Sequence, residues 1–194
     1  MNFIESYIHE VKIIAESLNM RMIEQMVDAL SNLKARNGRL FILGVGGSAA
    51  NASHAVNDFR KLTKIESYAP TDNVAEITAR TNDEGWETVF DKYLEVSNLS
   101  DRDCILILSV GGGNLEKEVS VNLCHGIDFA KSRGALVLGI VGRDDGYTQK
   151  HSDACLVIPN INSNHITPHS EAFQVIVWHL LVSHPKLKVN QTKW

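Results

Sequence analysis

The sequence predicts a doubly wound α/β sandwich, three layers with a five-stranded parallel sheet in the middle, and three observations carry that prediction. Short runs rich in Ile, Val and Leu recur along the 194 residues without polar alternation, as strands covered on both faces require. Helical patterns separate them, which implies parallel pairing through crossover helices. Two of the runs end directly in glycine-rich turns, the βα junctions of such a fold.

Two helices lead. Phe3, Ile4, Tyr7, Ile8, Val11, Ile14, Ala15 and Leu18 recur at helical spacing, and Met22, Met26, Ala29, Leu30 and Leu33 mark a second helix over 22–35. Asn37-Gly38 stops it. Strands are expected over 39–45, 104–110, 135–141 and 154–159, with a weaker one at 67–69. Helices are expected over 49–62, 74–81, 86–96, 115–132, 147–151 and 171–181. No repeat or Pro/Gly-rich linker divides the chain, so 1–194 reads as one domain. Residues 1–37 form the leading helices and 186–194 a polar tail. The amphipathic stripes of the leading helices read as packing or oligomer surface.

Composition excludes several classes. Hydrophobic residues make up 44% and charged residues 22%, ordinary globular usage, and the net charge of −4 lacks the basic footprint of a nucleic-acid-binding domain. Cys104, Cys124 and Cys155 form no Cys-x-x-Cys pair, so a reduced protein with buried thiols is expected rather than a disulfide or metal knuckle. No apolar run is long enough to span a bilayer, and the first residues show neither a basic leader nor an apolar core of a signal segment, so a cytoplasmic protein is expected.

The chemistry concentrates at the carboxyl ends of the strands. Gly44-Val45-Gly46-Gly47-Ser48 joins the first strand to a helix, where backbone N–H groups and the helix dipole suit an anion and Ser48 can cap or donate. Neither a Walker lysine nor G-x-G-x-x-G spacing is present, so no nucleotide cofactor is expected. Ser109-Val110-Gly111-Gly112-Gly113-Asn114 repeats the arrangement, and two such junctions together suit one phosphorylated ligand. Gly142-Arg143-Asp144-Asp145-Gly146 reads as a turn into the next helix.

His54 and Asp58 stand at i and i+4 on one helix face. Thr167, Pro168 and Ser170 read as a helix start that puts Glu171 in the first turn, with His179 two turns later in an apolar stretch. Two imidazoles and two carboxylates suit zinc or another divalent metal, and equally suit acid/base proton transfer.

With these motifs in this order, the chain resembles the sugar isomerase (SIS) family, in its phosphoheptose isomerase branch. The resemblance spans nearly the whole sequence: the leading helices, Gly44 to Ser48 followed by His54, Thr71-Asp72-Asn73, Asn82-Asp83, Ser109 to Gly112, and the late helix reaching His179. It implies an aldose–ketose isomerase acting on a sugar phosphate, sedoheptulose 7-phosphate to D-glycero-D-manno-heptose 7-phosphate, in a homotetramer with active sites between subunits. It places Gly46, Gly47 and Ser48 beside the substrate and Asn82 and Asp83 on sugar hydroxyls. It puts Ser109, Gly111 and Gly112, in a loop that ends at Asn114, on the phosphate. His54, Asp58, Glu171 and His179 fall on the metal and catalytic positions, with Asp58 or Glu171 as base and His179 as its acid/base partner.

The chain departs from the family pattern in Val45 for Asn, Asp58 for Glu and Glu171 for Gln. A second loop poorer in hydroxyls and a few extra residues within 115–132 are further departures. These mark a divergent branch and keep a second class of function in view, a non-catalytic sugar-phosphate sensor or docking module. A dinucleotide oxidoreductase is disfavoured by the glycine spacing.

Overall fold

The computed structural model describes residues 1–192. Its elements are helices α1 (Phe3–Glu16) and α2 (Met20–Ala35), strand β1 (Leu40–Gly44), α3 (Gly47–Asp58), β2 (Ser67–Tyr68), α4 (Val74–Asp83), α5 (Val89–Val96), β3 (Cys104–Ser109), α6 (Val121–Ser132), β4 (Leu136–Val141), α7 (Tyr147–His151), β5 (Ala154–Val157) and α8 (Ile166–Ser183). The five strands form one parallel sheet in the order β2-β1-β3-β4-β5.

Strand alternation makes two cores. Leu40, Ile42, Leu106, Leu108, Leu138 and Ile140 face one side, where Met26 and Leu30 of α2, Ala52 and Ala55 of α3, and Phe173 and Trp178 of α8 cover them. Phe41, Leu43, Ile105, Ile107 and Val137 face the other, under Phe90 and Leu94 of α5 and Leu123 and Ile127 of α6. Helices on both faces of a parallel sheet are the three layers expected.

Local chemistry sets the helix starts. Asn2 and Glu5 close a capping box on α1: the Glu5 N–H donates to Asn2 Oδ1 and the Asn2 N–H to Glu5 Oε2, each at 3.0 Å. Asn19 caps α2 by accepting from the Met22 N–H at 3.1 Å.

Asp103 ties the entry ends of β1 and β3 together. Its carboxylate accepts from the Arg39 N–H, Nε and Nη2 and from the N–H and hydroxyl of Ser100, at 2.8–3.1 Å. Burial works to raise this carboxyl, but the Arg39 and Ser100 donors outweigh it and hold it below the ordinary aspartate value. A carboxyl depressed on folding adds stability that is present above its unfolded pKa and lost as pH falls through the folded one. Asp103→Ala should cost about 3 kcal/mol in denaturant unfolding at neutral pH, because it removes the carboxylate partner of a part-buried guanidinium and leaves the Arg39 and Ser100 N–H groups unpaired. The deficit should shrink on acidification below the ordinary aspartate pKa.

Four expectations change. The stretch 115–132 is not helical throughout: Asn114 pairs with Val119 in a bridge, the Lys117 N–H donates to Asn114 Oδ1 at 2.8 Å, and Glu118 and Ser120 take left-handed backbone, so α6 begins at Val121. The last helix begins at Ile166, with Pro168 inside its first turn, and Glu171 therefore falls in the second turn. Ser48 does not cap α3, whose N-cap is Gly46; its buried hydroxyl accepts from Gln174 Nε2 at 3.1 Å. The polar segment from 186 is not a free tail: Leu187 is fully buried, Lys34 Nζ donates to its carbonyl, and the Val189 and Asn190 N–H groups donate to the Leu62 carbonyl. Residues 193–194 of that segment lie outside the described residues.

The cysteines form no disulfide. Burial pushes the Cys104 thiol far up, Cys124 to about 11 and Cys155 to about 12, so all three stay as thiols at neutral pH. No helix among the described residues is long and apolar enough to cross a membrane.

Candidate active site

The sheet order places the topological switch point between β1 and β3, and both glycine-rich loops leave the carboxyl ends of these two adjacent strands. In the first loop Gly46 takes φ 64° and opens onto free space, while a Cβ on Gly44 would lie 2.5 Å from the Ser48 carbonyl oxygen. The turn is thus tight below and open above.

In the second loop the Gly112 N–H donates to Ser109 Oγ at 2.9 Å. The Gly112 carbonyl accepts from the Thr148 N–H and hydroxyl, and the Gly113 carbonyl accepts from the Tyr147 N–H. This loop is therefore pinned to the start of α7. Gly111 and Asn114 line a groove of about 160 Å³ that also takes in Lys117 and Arg143. Arg143 stood in a junction read only as a turn, and Lys117 arrives through the turn at 114–119. Arg143 is paired with Asp145 at 2.9 Å on the same rim.

A seam between α3 and α8 carries the remaining residues. Asn51 Nδ2 donates to the Glu171 carbonyl at 3.0 Å and to Gln174 Oε1 at 2.9 Å, holding the helices side by side and running the same way. At the first end of the seam the Glu171 carboxylate stands where a Gly47 side chain would go, 2.6 Å from an ideal Cβ. At the other end His54, Asp58 and His179 converge. Asp58 Oδ2 lies 3.5 Å from His179 Nε2 and 3.9 Å from His54 Nε2. Ligand atoms of these three all fall within 4.8 Å of one another, and Glu171 is not among them. Eight residues of helix, about 12 Å of rise, separate Glu171 from His179.

The trio is built with its carboxylate inward and its imidazoles outward. Asp58 is 4% exposed and takes a hydrogen bond from Asn57 Nδ2 at 2.8 Å on its other oxygen. The chain passes into a π-turn (Phe59–Thr63) directly after it. His179 Nδ1 bonds the Val175 carbonyl at 2.8 Å; a carbonyl only accepts, so Nδ1 carries a proton and Nε2 is the nitrogen that faces Asp58. The His54 ring meets Trp178 edge-on at 4.7 Å. Two nitrogens and a carboxylate, with one imidazole already oriented by an outer hydrogen bond, fit a divalent metal with positions left open.

Asn82 and Asp83 stand exposed at the end of α4, where Asn82 Nδ2 donates to Asp83 Oδ1 at 2.7 Å. No hydrogen bond among the described residues joins either to the glycine loops.

A parallel sheet whose switch point carries two glycine loops is matched by the profile of the SIS domain, which fits residues 6–142. The chain belongs to the SIS domain family. Within it the chain falls among the phosphoheptose isomerases: it is 30% identical over 162 residues to the phosphoheptose isomerase of Nitratiruptor, 81% of this chain and 79% of that one. It is also 35% identical over 150 residues, 74% of its length, to the lincomycin biosynthesis protein LmbN of Streptomyces lincolnensis, and spans about half (54%) of that longer protein. A phosphoheptose isomerase structure from Francisella tularensis superimposes with TM-score 0.79 at 24% identity, covering 94% of this chain and 97% of that one, which shows the fold.

Proposed function

We propose that the protein is an aldose–ketose isomerase of phosphorylated sugars, interconverting sedoheptulose 7-phosphate and D-glycero-D-manno-heptose 7-phosphate through an enediol. The observation that carries this reading is the meeting of Asp58 with His179 and His54 in a protein of this family. The relatives named phosphoheptose isomerase supply the substrate.

The phosphate would rest on the second glycine loop, held by its N–H groups and by Lys117 and Arg143. Asp58 takes a proton from C1 of the ketose while His179 gives one to the C2 carbonyl oxygen. Asp58 then delivers a proton to C2, its own or one exchanged from solvent, as His179 takes the O1 proton, so one C–H and one O–H bond break and one of each forms. The buried carboxylate moves protons at carbon and the exposed imidazole at oxygen. Zinc or another divalent ion would be held by His54 and one oxygen of Asp58, leaving the second oxygen and His179 Nε2 for the protons, and when bound would polarise the carbonyl. Glu171, kept apart at Gly47, would border the substrate from the loop side.

His54 and His179 face outward, and Ile176 and Leu180 of α8 and Phe3, Ile4 and Ile8 of α1 leave apolar side chains exposed. This suits assembly into a homotetramer whose subunits close one another's active sites, in the cytoplasm. The test is interconversion of the two heptose 7-phosphates by the purified protein with divalent metal supplied; no turnover would overturn the reading.

A further inference from the structure

A second cluster lies at the far end of α8. Glu10 of α1 points its Oε2 at two imidazoles, 2.8 Å from His165 Nδ1 and 2.8 Å from His169 Nε2. Its other oxygen accepts from Asn162 Nδ2 at 2.8 Å. His169 is 3% exposed, and the Tyr7 ring covers it at 4.6 Å.

Two imidazole nitrogens and one carboxylate oxygen converge on one point. Asn162 Oδ1 accepts from the Asn164 N–H at 3.0 Å, which assigns its amide: Nδ2 is the donor end. That donor faces Glu10 Oε1 and, at 3.2 Å, His165 Nδ1. In the metal-free protein a proton on His165 Nδ1 and one on His169 Nε2 satisfy Glu10 Oε2 at 2.8 Å, and a divalent ion would take the place of both protons. His169 Nε2 adds a third ligand atom within the same 4.8 Å sphere.

We propose that Glu10, His165 and His169 form a second divalent-metal site, distinct from the one at His54 and Asp58. Two imidazoles and a carboxylate suit zinc-like borderline ions. His165 and His169 stand four apart where a 3-10 turn runs into α8, a spacing that puts both on one face. Asn162 is the outer partner that orients the ligating carboxylate, and the Tyr7 ring, tilted against it at 4.6 Å, holds the His169 ring, whose Nδ1 has no hydrogen-bond partner among the described residues. His169 and His179 are ten residues apart on α8, about 15 Å of rise, so the two sites do not share an ion. Pro159, Asn160 and Ile166 border both the site and an open cavity of about 630 Å³ beyond the ends of β4 and β5. An ion here would clamp α1 to the start of α8.

The site stands independently of the isomerase reading. The test is equilibrium dialysis of the chelator-stripped protein against Co²⁺, with the ligand-field spectrum followed. The wild type should bind one more equivalent than His165→Ala, whose half-buried side chain can be removed with little risk to folding. The double variant His54→Ala/His179→Ala should keep one equivalent with tetrahedral cobalt bands, and Co²⁺ should raise its melting temperature. Equal stoichiometry in wild type and His165→Ala, or no cobalt bound by the double variant, would overturn the second site. Turnover that survives His165→Ala would leave the isomerase reading untouched in either case.

Discussion

Replacing Asp58 with asparagine is expected to lower kcat by about 1,000-fold while leaving KM and thermal stability close to those of the wild type. The side chain is the buried floor of the trio, and asparagine keeps its volume and its place between His54 and His179. What it loses is the ability to accept a proton from carbon. Steady-state kinetics beside a thermal melt separate this from a folding defect. A variant with full kcat would remove Asp58 from the proton relay.

Removing the two cations on the second loop should have the opposite signature. Lys117→Ala with Arg143→Ala is expected to raise KM by about 100-fold, roughly tenfold for each charge-assisted bond to phosphate, with kcat changed little. The two side chains share the groove with Gly111 and Asn114. They would stand in for the hydroxyls that Val110 and Gly111 do not supply. Because Asp145 competes for Arg143 at 2.9 Å, Asp145→Asn should lower KM. The double variant binding substrate as tightly as wild type would move the phosphate elsewhere.

Much of this architecture was readable in the residues. The strands declared themselves because a parallel sheet covered on both faces needs uninterrupted Ile, Val and Leu, and even the short β2 was in place. The His54–Asp58 pair needed only helical spacing. Its meeting with His179 did not follow from any local pattern, since it depends on α3 and α8 lying side by side through Asn51 and Gln174. Glu171 was grouped with the trio on residue type and family resemblance, but it stands eight residues before His179 on α8, and the parallel seam puts it at Gly47 instead.

The turn at 114–119 was hidden for a different reason. Glu118 and Ser120 adopt left-handed backbone without glycine, so composition gave no break before α6, and Lys117 went unnoticed. The Glu10 cluster was half visible in the His165–His169 spacing. Its carboxylate comes from α1, more than 150 residues away in sequence, and only packing of α1 on α8 brings it in.

The central claim is proton transfer at carbon by Asp58 in a pocket completed by His179, and solvent isotope incorporation tests it most directly. Sedoheptulose 7-phosphate incubated with the metal-supplied protein in D₂O should gain deuterium at the carbons beside the carbonyl, as the aldose appears. Asp58→Asn should abolish both signals. Aldose formation or deuterium uptake undiminished in Asp58→Asn would contradict the account.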